Sequence, residues 1–191
     1  MKLIIDKYRL EENIPVGSYL KNKKSAKYFN RETAAAVVCA AKLISGTEIF
    51  PQTPIYYACE RVEFEDYGLE TIIEHSLDDS KKFNSELFIA DAMPLVSPLS
   101  QFKVLYNMPL SFISIENGLT GDNAVLYHSG NALIQQVICS GYTENIIIGA
   151  GKVYENGDIE SAFALIKVEE AEKIIITEEI SPIELFYFLN S

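Results

Sequence analysis

The sequence predicts an α/β fold built on a mainly parallel sheet. Short apolar runs of strand length alternate with longer runs of helical pattern along most of the chain. Near the C-terminus, two apolar runs are separated by Asn156-Gly157, a dipeptide typical of hairpin turns. Strands that alternate with helices join by right-handed crossovers and lie parallel, so the expected order is βαβαβαββ with an antiparallel edge contributed by the closing hairpin.

Each element follows from a local signal. Asn30 is the expected N-cap of an Ala-rich helix that stops at Gly46, and its uncharged middle indicates burial on more than one side. Ser181, Pro182 and Glu184 form the start of a capping box for an apolar terminal helix. The predicted strands cover 2–8, 55–59, 124–128, 146–148, 163–168 and 174–176. The predicted helices cover 31–45, 68–77, a segment from Ser85, 98–106, 131–140 and 182–189, while 110–119 fits a short helix or an irregular segment.

Composition limits the class of protein. Hydrophobic residues make up 48% of 191 residues, enough for one domain, 1–191, with a substantial core. No apolar run reaches the ~18 residues that span a bilayer, and the N-terminus lacks the pattern of a cleaved leader. The net charge of −11 opposes binding to nucleic acid or to an anionic membrane. We therefore expect a cytoplasmic protein.

The few thiols and imidazoles exclude several kinds of site. Cys39, Cys59 and Cys139 are odd in number and far apart, which fits neither a disulfide framework nor a zinc site, and favours buried structural thiols. His75 and His128 are too few for a histidine-rich metal centre. We expect no metal and no cofactor.

One basic cluster stands out against the acidic background. Lys21, Lys23, Lys24, Lys27 and Arg31 place five of sixteen basic residues within eleven positions. The cluster is either a solvated loop before a helix or a docking site for an acidic partner.

Four segments together resemble a known family. They are Val96-Ser97-Pro98-Leu99-Ser100-Gln101-Phe102 with Asn107-Met108-Pro109, then Ser114-Ile115 with Gly118-Leu119-Thr120-Gly121-Asp122-Asn123, then 148–151, and finally 160–169. With the βαβαβαββ order, they resemble the N-terminal half of β-ketoacyl synthases, over about residues 50–180. The resemblance implies a thiolase-like half: a mixed, mainly parallel five-stranded sheet with helices on both faces.

The chain departs from that family where the chemistry would be. A ketosynthase places a cysteine at a helix N-terminus, where backbone N–H groups lower the thiol pKa. Counted from Gly121, that position here is Gly130, preceded by His128 and Ser129. No cysteine is expected within reach of this turn, because Cys139 lies at the far end of the helix. The family's catalytic histidines belong to a second half that the sequence does not contain.

The pattern is closest to Cys-less, chain-length-factor-like proteins. This resemblance implies a non-catalytic partner of a ketosynthase or acyl carrier protein, in a homodimer or heterodimer, in fatty-acid or polyketide/aryl-polyene biosynthesis. Two alternatives remain open: a 3-oxoacyl-carrier-protein synthase-like acyltransferase with a non-standard site, and a ligand-binding module. Candidate acyl-pocket residues are Phe102, Asn107 and Phe112, with Tyr56, Tyr57 and Tyr106 as further possible lining; candidate carrier-docking residues are Lys21, Lys23, Lys24 and Lys27.

Two other enzyme classes are disfavoured. His128 and Ser129 are neighbours on a predicted strand and would point to opposite faces, and no Gly-x-Ser-x-Gly elbow surrounds Ser129. Gly149-Ala150-Gly151 is not followed by a helix, as a dinucleotide site requires.

Two structural expectations complete the sequence-based description. By the same resemblance, strand 124–128 should lie at the sheet edge and pair across a two-fold or pseudo-two-fold interface. The terminal helix should cover apolar surface of this chain or of a partner.

Overall fold

The computed structural model describes residues 1–60, 69–95, 100–103 and 105–191. The described residues form a five-stranded mixed sheet with helices on both faces, so the predicted thiolase-like fold class is confirmed. The strands are β1 (Lys2–Tyr8), β2 (Ile55–Cys59), β3 (Asn123–Tyr127), β4 (Ile146–Val153) and β5 (Ile159–Ile166).

The strand order is β1-β5-β4-β2-β3. Strands β2, β3 and β4 are parallel to one another, whereas β5 is antiparallel to both β4 and β1. The closing hairpin therefore does not form an edge, and that expectation was wrong. β1 pairs with seven residues of β5 and becomes the outer strand, because both sides of β5 present matched backbone groups. Strand β3 lies at the other edge, as predicted.

Helices α1 (Arg31–Ile44) and α4 (Met108–Asn117) cover one face of the sheet. The Asn30 side chain accepts a hydrogen bond from the Thr33 N–H at 2.8 Å and starts α1, as expected. Helix α1 packs against both the strands and α4, which explains why its middle carries no charged residue.

The opposite face carries α5 (Gly130–Cys139), the short α6 (Val168–Ala171) and α7 (Pro182–Leu189). The predicted capping box of α7 is present: Ser181 and Glu184 exchange side-chain to backbone hydrogen bonds. Helix α7 buries Ile183, Leu185 and Phe186 against α5, β4 and β5. It thus covers apolar surface of its own chain, one of the two outcomes expected for it.

Shorter elements connect β2 to α4. They are α2 (Leu69–His75), α3 (Ser85–Leu87), a π-helical turn Phe88–Ala92, and 3₁₀ turns Met93–Leu95 and Ser100–Lys103. The helix predicted from Ser85 begins there but lasts one turn, and residues 110–119 prove mostly helical. Of the predicted helix 98–106, the structure describes only the 3₁₀ turn and the approach to α4, and Ser97 and Pro98 lie outside the described residues.

The predicted strand 174–176 is absent. Ile174 and Ile176 pack on the core beneath α5 and α7, while Ile175 is 78% exposed. The burial of the three isoleucine side chains alternates as in a strand, because the segment lies over an apolar surface. No β-strand of the described residues lies beside it, since β5 already pairs on both sides.

Packing rather than turn geometry requires glycine at position 149. This residue is paired with Phe163 across the β4–β5 ladder, and a β-carbon at 149 would lie 2.1 Å from the Phe163 ring. The aromatic ring therefore fills the space above the glycine. Among the helices of the described residues, none is long and apolar enough to cross a membrane.

Candidate functional site

The connection between β3 and α5, residues 127–130, forms an elbow at the carboxyl end of the parallel strands. His128 adopts a left-handed backbone conformation, with φ of 60°, and its N–H donates to the Cys59 carbonyl at 3.0 Å. Ser129 caps α5 by accepting from the Ala132 N–H at 2.9 Å. A non-glycine residue in this conformation occurs most often in turns and near functional sites. The sharp turn is thus at His128, and Gly130 is already the first residue of α5.

Two cavities flank the elbow and share Tyr127. One, which we call the apolar cavity, has a volume of about 430 Å³. The other, which we call the polar cavity, measures about 370 Å³. The apolar cavity is lined by Cys59, Leu105, Tyr106, Asn107, Val125, Leu126 and Tyr127, and the polar cavity by Glu60, Tyr127, His128, Lys152, Val153, Tyr154 and Glu155.

The sheet brings a cysteine to the elbow that sequence reasoning missed. Cys59 ends β2 and is paired with Tyr127 of β3, so a thiol lies beside the turn although it is 68 residues away in sequence. Burial, and next the negative charge of Glu32, raises the pKa of Cys59 to about 12. The thiol therefore stays protonated at neutral pH and is a poor nucleophile. Cys39 is buried as expected, but Cys139 is exposed.

Residues 178–181, which we call the C-terminal strap, cross the N-terminus of α5. The Gly130 N–H donates to the Ile180 carbonyl at 2.9 Å, and the Ser129 hydroxyl donates to the Glu179 carboxylate at 2.7 Å. The Asn131 side chain donates to the Glu178 carbonyl at 3.1 Å and accepts from the Ile180 N–H at 3.3 Å. The strap thus uses donors that a ligand at this helix N-terminus would need.

The strap also explains the glycine at position 130. A β-carbon there would lie 3.0 Å from the Ser181 carbonyl oxygen, 3.1 Å from that of Ile180, and 3.2 Å from the Ile180 side chain. These distances are shorter than ordinary contacts, so a larger residue would push the strap away.

Two buried carboxylates, Glu60 directly after β2 and Glu160 on β5, fix the helix that follows the strap. Glu60 forms an ion pair with Lys152 at 2.5 Å and accepts from the Ile183 N–H, at the start of α7, at 3.3 Å. Because a helix N-terminus carries a partial positive charge, the negative charge of Glu60 stabilises this docking.

A second buried carboxylate, Glu160, accepts two tyrosine hydroxyls. Tyr154 donates at 2.5 Å, and Tyr187 of α7 donates to the other carboxylate oxygen. Lys7 lies 3.9 Å from the same carboxylate. The hydrogen bond to Glu160, and next burial, raises the pKa of Tyr187 to about 12.

The structure separates the three candidate acyl-pocket residues. Asn107 lines the apolar cavity. Phe102 instead packs edge-on against Tyr28, and Phe112 packs against Phe29 with ring centroids 4.5 Å apart. Of the further aromatic candidates, Tyr106 contacts Tyr127 in the cavity wall, whereas Tyr56 and Tyr57 are buried and bond Asp122 and Glu32.

Glu60 and Glu160 are functional candidates that sequence reasoning did not find. The sequence did offer a hint of both, because a charged residue is unusual at their positions: Glu60 directly follows a buried strand and Glu160 interrupts an apolar one. Their partners lie on β1, β4, α7 and the turn after β4, and no spacing rule connects those on β1 and α7 to the two carboxylates. Within the described ranges, no group of three or more His, Cys, Asp or Glu side chains is placed to hold a metal ion.

The comparisons with known proteins concern the fold. No protein-family model matches the sequence, and no curated protein matches it. Solved structures, however, do match it, among them two ketosynthase structures. One is a type II PKS acyl-carrier protein in complex with its ketosynthase (AntDE:AntF), with TM-score 0.54 and 9% identity, covering 81% of this chain and 52% of that one. The other is the ishigamide ketosynthase/chain length factor, with TM-score 0.53 and 13% identity, covering 78% of this chain and 47% of that one. This chain therefore has a ketosynthase-like fold and spans about half the length of the chains it matches.

Proposed function

We propose that this chain is a non-catalytic, ketosynthase-like protein that acts by pairing with a ketosynthase or an acyl carrier protein. The fold likeness supports the family part of the proposal, and the elbow supports the non-catalytic part.

The closure of the α5 N-terminus is the observation that carries the proposal. Acyl transfer to an enzyme needs a nucleophile at the turn and free donors that stabilise a developing oxyanion. At the first turn of α5, position 130 has no side chain, and its N–H already donates to the Ile180 carbonyl. Donors satisfied by the chain's own backbone cannot serve a substrate.

The other side chains at the elbow do not replace the missing nucleophile. The Cys59 thiol has a raised pKa and makes a weak hydrogen bond to the Leu126 carbonyl at 3.6 Å. The Ser129 hydroxyl caps α5 and bonds Glu179, so both its donor and acceptor roles are structural.

Incubation with a radiolabelled acyl-carrier protein tests the lack of catalysis, and co-purification with a ketosynthase tests the pairing. We expect no covalent adduct on the chain and a stable complex with the ketosynthase. A labelled Cys59 or Ser129 in a peptide digest would contradict the non-catalytic assignment, and failure to bind either partner would contradict the pairing.

The apolar cavity supports a second candidate, a ligand-binding module. Its volume of about 430 Å³ falls in the range of small-molecule sites, and it lies at the carboxyl ends of parallel strands, where such folds bind ligands. Retention of a fatty acyl ligand by the isolated chain, and its loss in Asn107→Phe, would favour this candidate over pairing alone.

A further inference from the structure

The lysines at positions 21, 23, 24 and 27, which we call the lysine platform, are not used inside the protein. All four are exposed, and within the described part of the chain none forms an ion pair. The Lys27 ammonium lies 4.8 Å from the centre of the Tyr28 ring.

Three lysines elsewhere in the chain are instead engaged structurally. Lys42 pairs with Asp6 at 2.7 Å and Lys152 with Glu60 at 2.5 Å. Lys2 places its ammonium on the last turn of α1, at 2.5 Å from the Leu43 carbonyl. The platform concentrates uncompensated positive charge on a protein whose net charge is −11.

The segment that carries the platform is held rigidly. The buried carboxylate of Glu116 on α4 accepts from the Lys21 N–H at 2.7 Å, and Asn22 caps the 3₁₀ turn Lys23–Tyr28 by accepting from the Lys24 N–H at 3.2 Å. Phe29 is buried against Phe112 at the end of the same segment. A preorganised charged surface binds with less loss of conformational freedom than a mobile loop does.

Folding also brings the backbone of residues 102 and 103 to this region. The Asn30 side chain donates to the Lys103 carbonyl at 2.8 Å, and Tyr28 packs edge-on against Phe102 with centroids 5.9 Å apart. Lys103 therefore lies near the platform although it is 76 positions beyond Lys27, a relation that the sequence did not indicate.

We propose that the lysine platform is a docking surface for an acidic protein. Opposite charges on facing protein surfaces accelerate association and fix orientation, and their attraction acts over about 8 Å at physiological salt. Nucleic acid fits less well: its charge density of about one per 1.7 Å would meet strong repulsion from the rest of an acidic chain. This proposal depends on the proposed function in one respect only, which is that a carrier protein is chosen as one of the probes.

Charge reversal tests the platform against a matched control. The variant Lys21/Lys23/Lys24→Glu is compared with Lys81/Lys82/Lys173→Glu, which changes the net charge equally at exposed lysines elsewhere. A second variant, Lys21/Lys23/Lys24→Gln, avoids placing a carboxylate near Glu116. The probes are a fluorescent acyl carrier protein, a poly-L-glutamate peptide and a single-stranded DNA of similar total charge, titrated at low and at raised salt, about 50 and 300 mM, since screening weakens the attraction of exposed charges.

We expect an acidic protein or peptide to bind the wild type at low salt and to bind the platform variants at least ~10-fold more weakly, with the control unchanged. Equal losses in platform and control variants would overturn the proposal, because they would reflect net charge alone. Failure of both acidic probes to bind, or tighter binding of DNA, would also overturn it. Pairing with a ketosynthase is measured in a separate experiment. The proposed function can therefore fail while this proposal holds, and this proposal can fail while the proposed function holds.

Discussion

Gly130 is the first residue of α5, and its N–H donates to the Ile180 carbonyl of the C-terminal strap. At this position, which a count from Gly121 assigns to a nucleophile, a β-carbon would lie 3.0 Å from the Ser181 carbonyl oxygen of the C-terminal strap. Packing therefore favours glycine here, because any side chain would press on Ser181 and Ile180 and require the strap to shift.

Placing a cysteine at this position should destabilise the fold and should not produce an acylated protein. We expect Gly130→Cys to lower stability by ~1–3 kcal/mol and the melting temperature by about 2–10 °C, because the new side chain overpacks against the strap. The control is Gly17→Cys, where a β-carbon meets nothing within 4 Å. Thermal melts and mass spectrometry after exposure to an acyl-carrier thioester check both effects. An acyl group on the new thiol of Gly130→Cys, with an unchanged melting temperature, would show that the strap leaves this site open.

Tyr187 offers a test with a defined pH dependence. We expect Tyr187→Phe to destabilise the protein by ~1 kcal/mol, since a hydrogen bond to a charged group is lost at a ring that is 51% exposed. Because the folded-state pKa is raised from 10.0 to about 12, this stabilisation is complete below pH 10 and disappears as the pH rises towards 12.

Melting curves on either side of the ordinary tyrosine pKa, at about pH 8 and about pH 11, measure the difference between wild type and Tyr187→Phe. Tyr142→Phe serves as the control, because no hydrogen bond of its hydroxyl occurs among the described residues. A difference that grows with pH would contradict the assigned role of Glu160 as acceptor.

At the scale of elements, α7 carries a large share of one face of the core. Ile183, Leu185 and Phe186 are fully or almost fully buried, and burying such side chains contributes ~1.5–3 kcal/mol each. The strap and Glu60 fix the start of the helix, and the apolar contacts bind the rest of the helix to the core.

Truncation after Glu179 should therefore expose the core and cause aggregation or unfolding. Removal of only Asn190 and Ser191 is the control, because these residues follow α7 and contribute no buried side chain. Size-exclusion chromatography and thermal melts measure the outcome. If the shorter chain stays soluble with the same melting temperature, α7 covers nothing that matters to stability.

Local patterns predicted most elements well. The caps at Asn30 and Ser181 and the first strand were found at their positions, because a cap or a run rich in Leu and Ile is a property of a few neighbouring residues. The errors concern long-range pairing. The sequence of residues 2–8 does not indicate that this strand pairs with 159–166. Likewise, the sequence of residues 174–176 does not reveal that this segment lacks a neighbouring strand among the described residues.

The same limit applies to the candidate site. His128 and Gly130 could be placed at a turn by counting from Gly121, but Cys59 and the strap reach that turn only through the sheet and the course of the chain. The nearest thiol and the closure of the α5 N-terminus were therefore beyond sequence reasoning.

At the scale of the whole molecule, β3 leaves one side of the sheet unpaired among the described strands. The His128 N–H points towards β2, so the N–H of Tyr127, one residue earlier, points away from the sheet. An exposed edge of this kind can accept a strand from a second chain, and we propose that it forms the interface of a homodimer or heterodimer.

Tyr127→Pro removes an outward donor and should shift the assembly towards monomer without breaking the β2–β3 ladder. Tyr127→Ala, which keeps the N–H, separates the backbone effect from loss of a side chain that is 54% exposed. Light scattering at high protein concentration, alone and with a ketosynthase, gives the mass. A wild type that is monomeric under both conditions would rule out the interface.

The pairing of β1 with β5 sets the order in which the chain can fold. β1 is made first, yet its partner begins about 150 residues later, and at ~5–20 residues per second the ribosome needs on the order of 10–30 s to deliver it. Until then, Leu3, Ile4 and Ile5 have no strand to join, and the nascent chain carries an unsatisfied apolar end. During synthesis from the N-terminus, β1 therefore stays unpaired until β5 has been made, and it joins the sheet late. A translational pause before residue 159 would prolong the exposure of β1 to chaperones and proteases.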